Sequence, residues 1–170
     1  MNKAIEILTH EHNIIIAALG QVKGLFKELR QGNECYYEIK KSMEFFRVYA
    51  DNYHHAKEEN VLFPEMIRRR EMLEFGVIYE MNQNHEDFRE MLSKMEDCLD
   101  EAEWELAQKT FEKYAESLLE HIAVENEEVF QIAETIMTED ELLSIYYRFQ
   151  DCDRELGDAE KQEWEDSFLK

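Results

Sequence analysis

Four histidines and two glutamates stand in this sequence where helical patterns call for apolar residues. Burying an ionisable side chain without a partner costs several kcal/mol, about 2 to 7 for a neutral polar group and more for a carboxylate. A bound cation satisfies imidazole nitrogens and carboxylate oxygens most directly. The sequence therefore predicts a metal site inside the protein, with six candidate ligands: His12, His54, Glu58, His85, His121 and Glu125.

The candidate ligands repeat in the two halves of the chain. In each half a lone histidine on one helix is followed on the next by a His-x-x-x-Glu motif: His12 by His54–Glu58, and His85 by His121–Glu125. The two side chains of the motif lie one turn apart on the same helix face, so they can reach one cation or two adjacent ones. A lone buried histidine is more often a hydrogen-bonded core residue, but six such residues in matched repeats favour a site for two ions.

The donor types narrow the choice of metal. Imidazole and carboxylate without thiolate disfavour copper(I) and closed structural zinc sites and favour iron or manganese, with zinc as a possible occupant. Iron is the first choice. The three cysteines, Cys35, Cys98 and Cys152, include no Cys-x-x-Cys pair and are predicted to be free thiols, with a redox pair of Cys35 and Cys98 as the alternative.

Other polar residues near the candidate ligands are predicted to have structural roles. His10 and His55 share helix faces with charged and amide residues, so both are predicted to lie on the surface. Tyr53 and Tyr114 fall near the ligand layer and could modulate it, but a core tyrosine is the preferred interpretation.

Four amphipathic helices position the ligands. Apolar residues recur every three or four positions from Ile5 to Leu29, which is typical of a helix. A second helix is predicted from about Cys35 to about Arg70, with a local kink at Pro64. The third begins after Gly76 and the fourth ends near Met137. The chain has one proline and five glycines, which also predicts a nearly all-helical fold.

Short connections force consecutive helices to lie antiparallel. The predicted fold is therefore all-α, an up-down-up-down four-helix bundle with a short extra C-terminal helix. Residues 1–137 are predicted to form the bundle and residues 138–170 a helical appendage of the same domain. The appendage ends in an acidic tail from Asp151 to Lys170, which is predicted to be a solvated packing segment with Trp164 and Phe168 as anchors onto the bundle. A partner-binding role for this tail is the alternative.

The chain is strongly acidic, with 40 acidic residues against 19 basic ones and a net charge of -21. Phosphate backbones and anionic membrane surfaces would repel it, so neither nucleic acid nor a membrane is an expected partner. The longest apolar stretch is too short to span a bilayer, and the N-terminus lacks the pattern of a signal peptide. These features predict a cytoplasmic protein.

Four short motifs together form a specific pattern: Glu11-His12, the run from His54 to Glu59 leading to Leu62-Phe63-Pro64, Asn84-His85-Glu86, and His121 through Glu125. This combined pattern resembles the hemerythrin HHE cation-binding domain family over roughly residues 1 to 137. The resemblance implies a non-heme di-iron centre with an oxo or hydroxo bridge. It also implies that Glu58 and Glu125 span the irons and that the four histidines are terminal ligands.

Two positions depart from the animal oxygen carriers of that family. Arg89 stands where those proteins have a second histidine on the third helix. On the fourth helix, those proteins have an aspartate one residue further along the chain than the position of Glu125. The set of four histidines and two glutamates is more similar to bacterial proteins associated with repair of iron centres after nitrosative or oxidative stress.

The expected function is a di-iron protein that binds oxygen, peroxide or nitric oxide in stress response or sensing. One alternative is an iron store or donor for the repair of damaged iron centres. Another is an enzyme acting on peroxide or nitric oxide at the same centre. The sequence leaves catalysis, the oligomeric state and any protein partner open.

Overall fold

The computed structural model describes residues 1–169, and these residues are helical almost throughout, with no β-strand among them. The predicted all-α class is confirmed. Eight α-helices lie in this part of the chain: α1 Lys3–Arg30, α2 Tyr36–Phe45, α3 Phe63–Arg69, α4 Val77–Asp100, α5 Trp104–Val124, α6 Phe130–Ile136, α7 Glu139–Leu156 and α8 Asp158–Phe168.

Wider π-helical turns join several of these α-helices into longer stretches. Phe46–His55 and Glu58–Leu62 connect α2 to α3, and Glu125–Val129 connects α5 to α6. The predicted second helix is therefore a continuous helical stretch from 36 to 69. Pro64 lies in the first turn of α3, directly after a π-helical turn in which the Phe63 amide donates to the Glu58 carbonyl. Such turns occur frequently at functional sites.

Polar contacts between neighbouring stretches show how they run. As residue numbers rise along the stretch 36–69, the numbers of its partners on α4 fall, which is the pattern of antiparallel packing. The pairs are Lys40–Asp100 at 2.7 Å, Arg47–Glu96 at 2.6 Å and Arg89–Asp51 at 2.9 Å. Between α1 and the stretch 104–136, Phe26 stacks on Phe111 while His12 contacts Asn126, which indicates the same antiparallel relation.

The apolar core has two parts, one on each side of the candidate ligands. On α1, for example, Leu8 belongs to one cluster and Ile15 to the other, with His12 between them. The same order holds on the other three stretches, where apolar residues precede and follow the polar ones. The candidate ligands therefore form a polar layer between two apolar layers.

The C-terminal segment is more ordered than the sequence predicted. The expected short helix and solvated tail are instead α7, of 18 residues, and α8, of 11 residues, separated by Gly157 at φ 95°. A capping box of Thr138 and Glu141 begins α7. The two predicted anchors, Trp164 and Phe168, are buried, and the Phe168 ring centroid lies 4.5 Å from that of Phe45. The division at residue 137 stays a prediction.

Two further sequence predictions concern the cysteines and the membrane. All three cysteines are free, and Cys35 and Cys98 are buried in the apolar core. Among residues 1–169, no helix is both long enough and apolar enough to cross a bilayer.

Candidate metal centre

The structure brings all six candidate ligands together in the buried polar layer. Each of them is at most 2% exposed. Potential ligand atoms fall into two groups, within which every atom lies within 4.8 Å of the others, and Glu58 belongs to both. The first group contains His12, His54, Glu58 and Glu125, and the second contains His55, Glu58, His85 and His121.

Each glutamate lies close to one histidine of the first group and to one histidine of the second. The two oxygens of one carboxylate point to different histidines, so each glutamate spans the space between the groups. For Glu125, Oε2 is 3.1 Å from His12 Nε2 and Oε1 is 3.1 Å from His121 Nε2. For Glu58, Oε1 is 3.4 Å from His54 Nε2 and Oε2 is 3.5 Å from His85 Nε2.

Several of these buried atoms make no well-directed hydrogen bond. His12 Nε2, His54 Nε2 and all four carboxylate oxygens of Glu58 and Glu125 lack a partner of suitable geometry, although some of them lie close together. Buried polar groups in folded proteins are nearly always satisfied. Nitrogen and oxygen donors left facing one another are the ligands that iron, manganese or zinc accept. The donor set therefore fits bound metal ions.

The outer nitrogen of each candidate ligand histidine contacts a polar side chain. Such contacts fix the ring so that Nε2 faces the interior, as outer partners of metal-binding histidines commonly do. Two of the partners are carboxylates and two are amides, one of each kind in either group. The Nδ1 contacts are His54 with Glu11 at 2.8 Å, His85 with Glu59 at 2.7 Å, His12 with Asn126 at 2.8 Å, and His121 with Asn84 at 3.2 Å.

A fully buried lysine supports the carboxylate behind His54. Lys57 Nζ donates to Glu11 Oε1 at 2.5 Å, to the Tyr53 hydroxyl at 2.7 Å and to Asp153 Oδ1 at 2.8 Å. These three bonds use all the protons of an ammonium group. Burial alone would raise the pKa of Glu11, but Lys57 and His54 outweigh it and lower this pKa to about 2. Because Asp153 lies on α7, the C-terminal segment is connected to a candidate ligand.

An arginine supports the carboxylate behind His85. Arg89 Nε donates to both oxygens of Asp51 at 3.0 Å, and its Nη2 donates to Glu59 Oε1 at 2.7 Å. Burial of Glu59 opposes its ionisation, but His85 and Arg89 lower the pKa of Glu59 below its ordinary value. Arg89 therefore fixes two carboxylates beside the site.

The prediction that His55 lies on the surface is wrong. His55 is 2% exposed, and its ring stacks on that of His85 with 3.9 Å between centroids. The physical reason is the π-helical turn Phe46–His55, which holds more residues per turn than an α-helix and brings two consecutive histidines to the inner side. The same prediction for His10 is confirmed, since its side chain is 51% exposed.

Burial also sets the protonation of two of the candidate ligand histidines, His54 and His85. Desolvation disfavours the imidazolium form and lowers the pKa of His54 to about 4 and that of His85 to about 3. Both rings are therefore neutral at neutral pH, which is the form that binds a metal ion.

The two central glutamates repel each other in the absence of a cation. Burial and the Glu125 carboxylate raise the pKa of Glu58 well above its ordinary value. Burial acts in the same direction on Glu125, but His121 and His12 outweigh it and hold the pKa of Glu125 well below its ordinary value. A cation between the carboxylates would remove this repulsion.

Sequence reasoning missed the residues that support the ligands. Glu11 and Lys57 were named only as parts of the motifs that carry the family resemblance, and Asp153 was not named at all. Their pairing across three helices is visible only in the structure. One signal was available, since five of the six residues from His54 to Glu59 are polar, and an ordinary α-helix distributes six consecutive residues around all of its sides. Tyr114 is a core tyrosine as predicted, packed edge-on against Phe88, whereas Tyr53 is hydrogen-bonded to Lys57 and Asp153.

Comparison with known proteins identifies one family. A family model described as the hemerythrin HHE cation binding domain matches residues 3–133, a range that contains all six candidate ligands. No curated protein and no solved structure matches the chain.

Proposed function

This chain belongs to the hemerythrin HHE cation-binding domain family, and we propose that it holds two iron ions at the six candidate ligands. His12 and His54 would bind one ion, His85 and His121 would bind the other, and Glu58 and Glu125 would span both. The observation that carries the proposal is the pair of buried carboxylates of Glu58 and Glu125. Each carboxylate faces one histidine of the first group and one of the second, and neither makes a well-directed hydrogen bond.

The protein itself would contribute positioning, charge and exclusion of water. Iron, when bound, supplies redox activity and open coordination positions for a small molecule. The outer carboxylates and amides hold the histidine rings, and the two glutamates supply the negative charge that the ions require. Apolar layers on both sides keep water out, which strengthens these electrostatic interactions.

We propose oxygen, peroxide or nitric oxide as the external ligand, because every candidate ligand is at most 2% exposed and a small molecule reaches such a buried site most easily. A groove of about 620 Å³ between α4 and α5 is lined in part by Asn84 and Phe88. The amide of Asn84 lies 3.2 Å from His121 Nδ1, and the Phe88 ring packs edge-on against the same histidine at 5.2 Å. A single layer of side chains therefore separates this groove from the ligands.

The proposal includes the up-down-up-down bundle, formed by the helical stretches 3–30, 36–69, 77–100 and 104–136. The antiparallel contacts between neighbouring stretches support it. A role in oxidative or nitrosative stress, and a place in the cytoplasm, are parts of the proposal that rest on the family resemblance and the sequence.

The test is the iron content of protein purified without a His tag and loaded with iron(II) under anaerobic conditions. We expect two irons per chain in the wild type and in the control variant His10→Gln, and fewer in Glu58→Gln. Addition of nitric oxide or peroxide should then change the visible absorption of the loaded protein. A wild-type chain that binds no iron would overturn the proposal.

The alternatives give different results in the same experiment. Continued consumption of peroxide or nitric oxide would place the protein among di-iron enzymes. Rapid transfer of iron to a metal-free acceptor protein would indicate a store or donor. The structure favours retention over transfer, because every candidate ligand is at most 2% exposed.

A further inference from the structure

We infer that His55 is a fifth histidine ligand and that it binds the same ion as His85 and His121. This inference rests on the proposed function and adds a ligand to it. One ring nitrogen of His55 lies within 4.8 Å of ligand atoms of Glu58, His85 and His121. His55 is also 2% exposed, and its ring lies stacked on that of His85 with 3.9 Å between centroids.

The hydrogen bonding of His55 follows the pattern of the other ligand histidines. Its Nδ1 is 3.4 Å from Asp51 Oδ1, which is the only hydrogen-bonding contact of this ring within residues 1–169. The outer nitrogen thus faces a carboxylate, as it does in His54 and His85, and Nε2 is left for an ion. A purely structural core histidine would be expected to have partners for both nitrogens.

Arg89 holds the two carboxylates that contact the outer nitrogens of His55 and His85. Its guanidinium bonds to Asp51, behind His55, and to Glu59, behind His85. One arginine therefore fixes both outer carboxylates, and the stacked rings of the two histidines are held side by side.

A fifth histidine makes the two ions unequal. One ion would have three histidines and the other two, with both glutamates shared. The ion bound by His12 and His54 would keep more positions free for an external ligand. The ion bound by three histidines should bind more tightly and be the first to load.

The most direct test needs no substitution. The wild-type chain has six histidines, and its 15N-labelled side chains can be followed by NMR while the metal-free protein is loaded with zinc(II), a diamagnetic probe. We expect the ring nitrogens of five histidines to shift, with exposed His10 as the unshifted reference. Four shifted rings, with that of His55 unchanged, would overturn the inference while leaving the proposed function intact.

Variants test the same point by affinity. Cobalt(II) titration of His55→Gln should show one of the two sites weakened at least tenfold, whereas the control His10→Gln should match the wild type. In His55→Gly, added imidazole should restore the cobalt spectrum, which a merely structural histidine would not allow. Two unchanged affinities in His55→Gln would refute the inference alone, whereas a wild type that binds neither metal would refute the proposed function as well.

Discussion

Replacement of Lys57 by methionine should destabilise the metal-free protein severely. Lys57 is fully buried, and its ammonium group is the cationic partner of the buried carboxylate of Glu11. Methionine nearly preserves the volume of the side chain but removes the charge and all three hydrogen bonds. Glu11 would then keep only His54 as a partner, and Asp153 and Tyr53 would lose their shared donor.

Two independent figures give the size of this effect. Breaking a buried ion pair by removal of one partner costs about 3 to 5 kcal/mol. The drop in the pKa of Glu11 from 4.5 to about 2 corresponds to about 3 kcal/mol at neutral pH, to which Lys57 is the largest favourable contributor. Because this pKa is lowered on folding, the stabilisation is present above pH 4.5 and is lost as the pH falls toward 2. The effect of Lys57→Met should therefore shrink over that range.

The assay is urea unfolding of the metal-free protein, followed by circular dichroism at several pH values. Lys161→Met is the matched control, because Lys161 contacts the other oxygen of Asp153 at 3.3 Å but is 26% exposed. The control should lose less than about 1 kcal/mol. A loss below about 1 kcal/mol in Lys57→Met at pH 7, or a loss that stays constant down to pH 2, would refute the reasoning.

Three further predictions concern the centre and the C-terminal helix. Glu58→Gln should raise the unfolding free energy of the metal-free protein at pH 7. The pKa of Glu58 is raised on folding, so this carboxyl group lowers stability as the pH rises above the ordinary pKa of a glutamate, and a neutral glutamine removes that loss. An unchanged urea midpoint would contradict this prediction. Glu59→Gln should weaken metal binding about 10- to 100-fold in a competition titration, whereas Glu86→Gln, whose carboxylate also contacts Arg89 but is 66% exposed, should not. Phe168→Ala should lower the free energy of unfolding in urea by about 2 to 4 kcal/mol. The control Tyr37→Ala, at a residue that is 75% exposed, should lower it by less than about 0.5 kcal/mol. Equal losses would contradict the packing of α8 against the bundle.

The helical class and the gathering of the candidate ligands in one buried layer could be predicted because both follow from local spacing. A polar residue at an inner position of an amphipathic stripe is visible in the sequence, and His12 and His85 were recognised in that way. Boundaries were also close, since the sparse glycines near 32 and 76 mark helix ends. The spacing rule assumes 3.6 residues per turn, however, and it assigned His55 to the wrong face because a π-helical turn holds more.

The supporting residues could not be predicted because their partners lie on other helices. Glu11 belongs to α1, Lys57 to the stretch 36–69 and Asp153 to α7, so no local pattern relates them. The acidic composition of the segment from Asp151 onward suggested a solvated tail. In the structure this segment instead continues α7 to Leu156 and then forms α8, because its few apolar residues are packed against the bundle.

The central claim is that two metal ions lie between the four histidines and two glutamates. It is tested most directly by anomalous X-ray diffraction at the iron edge from crystals of the iron-loaded protein. We predict two anomalous peaks, one beside His12 and His54 and the other beside His85 and His121, with Glu58 and Glu125 contacting both. A single peak, or peaks elsewhere in the molecule, would contradict the account.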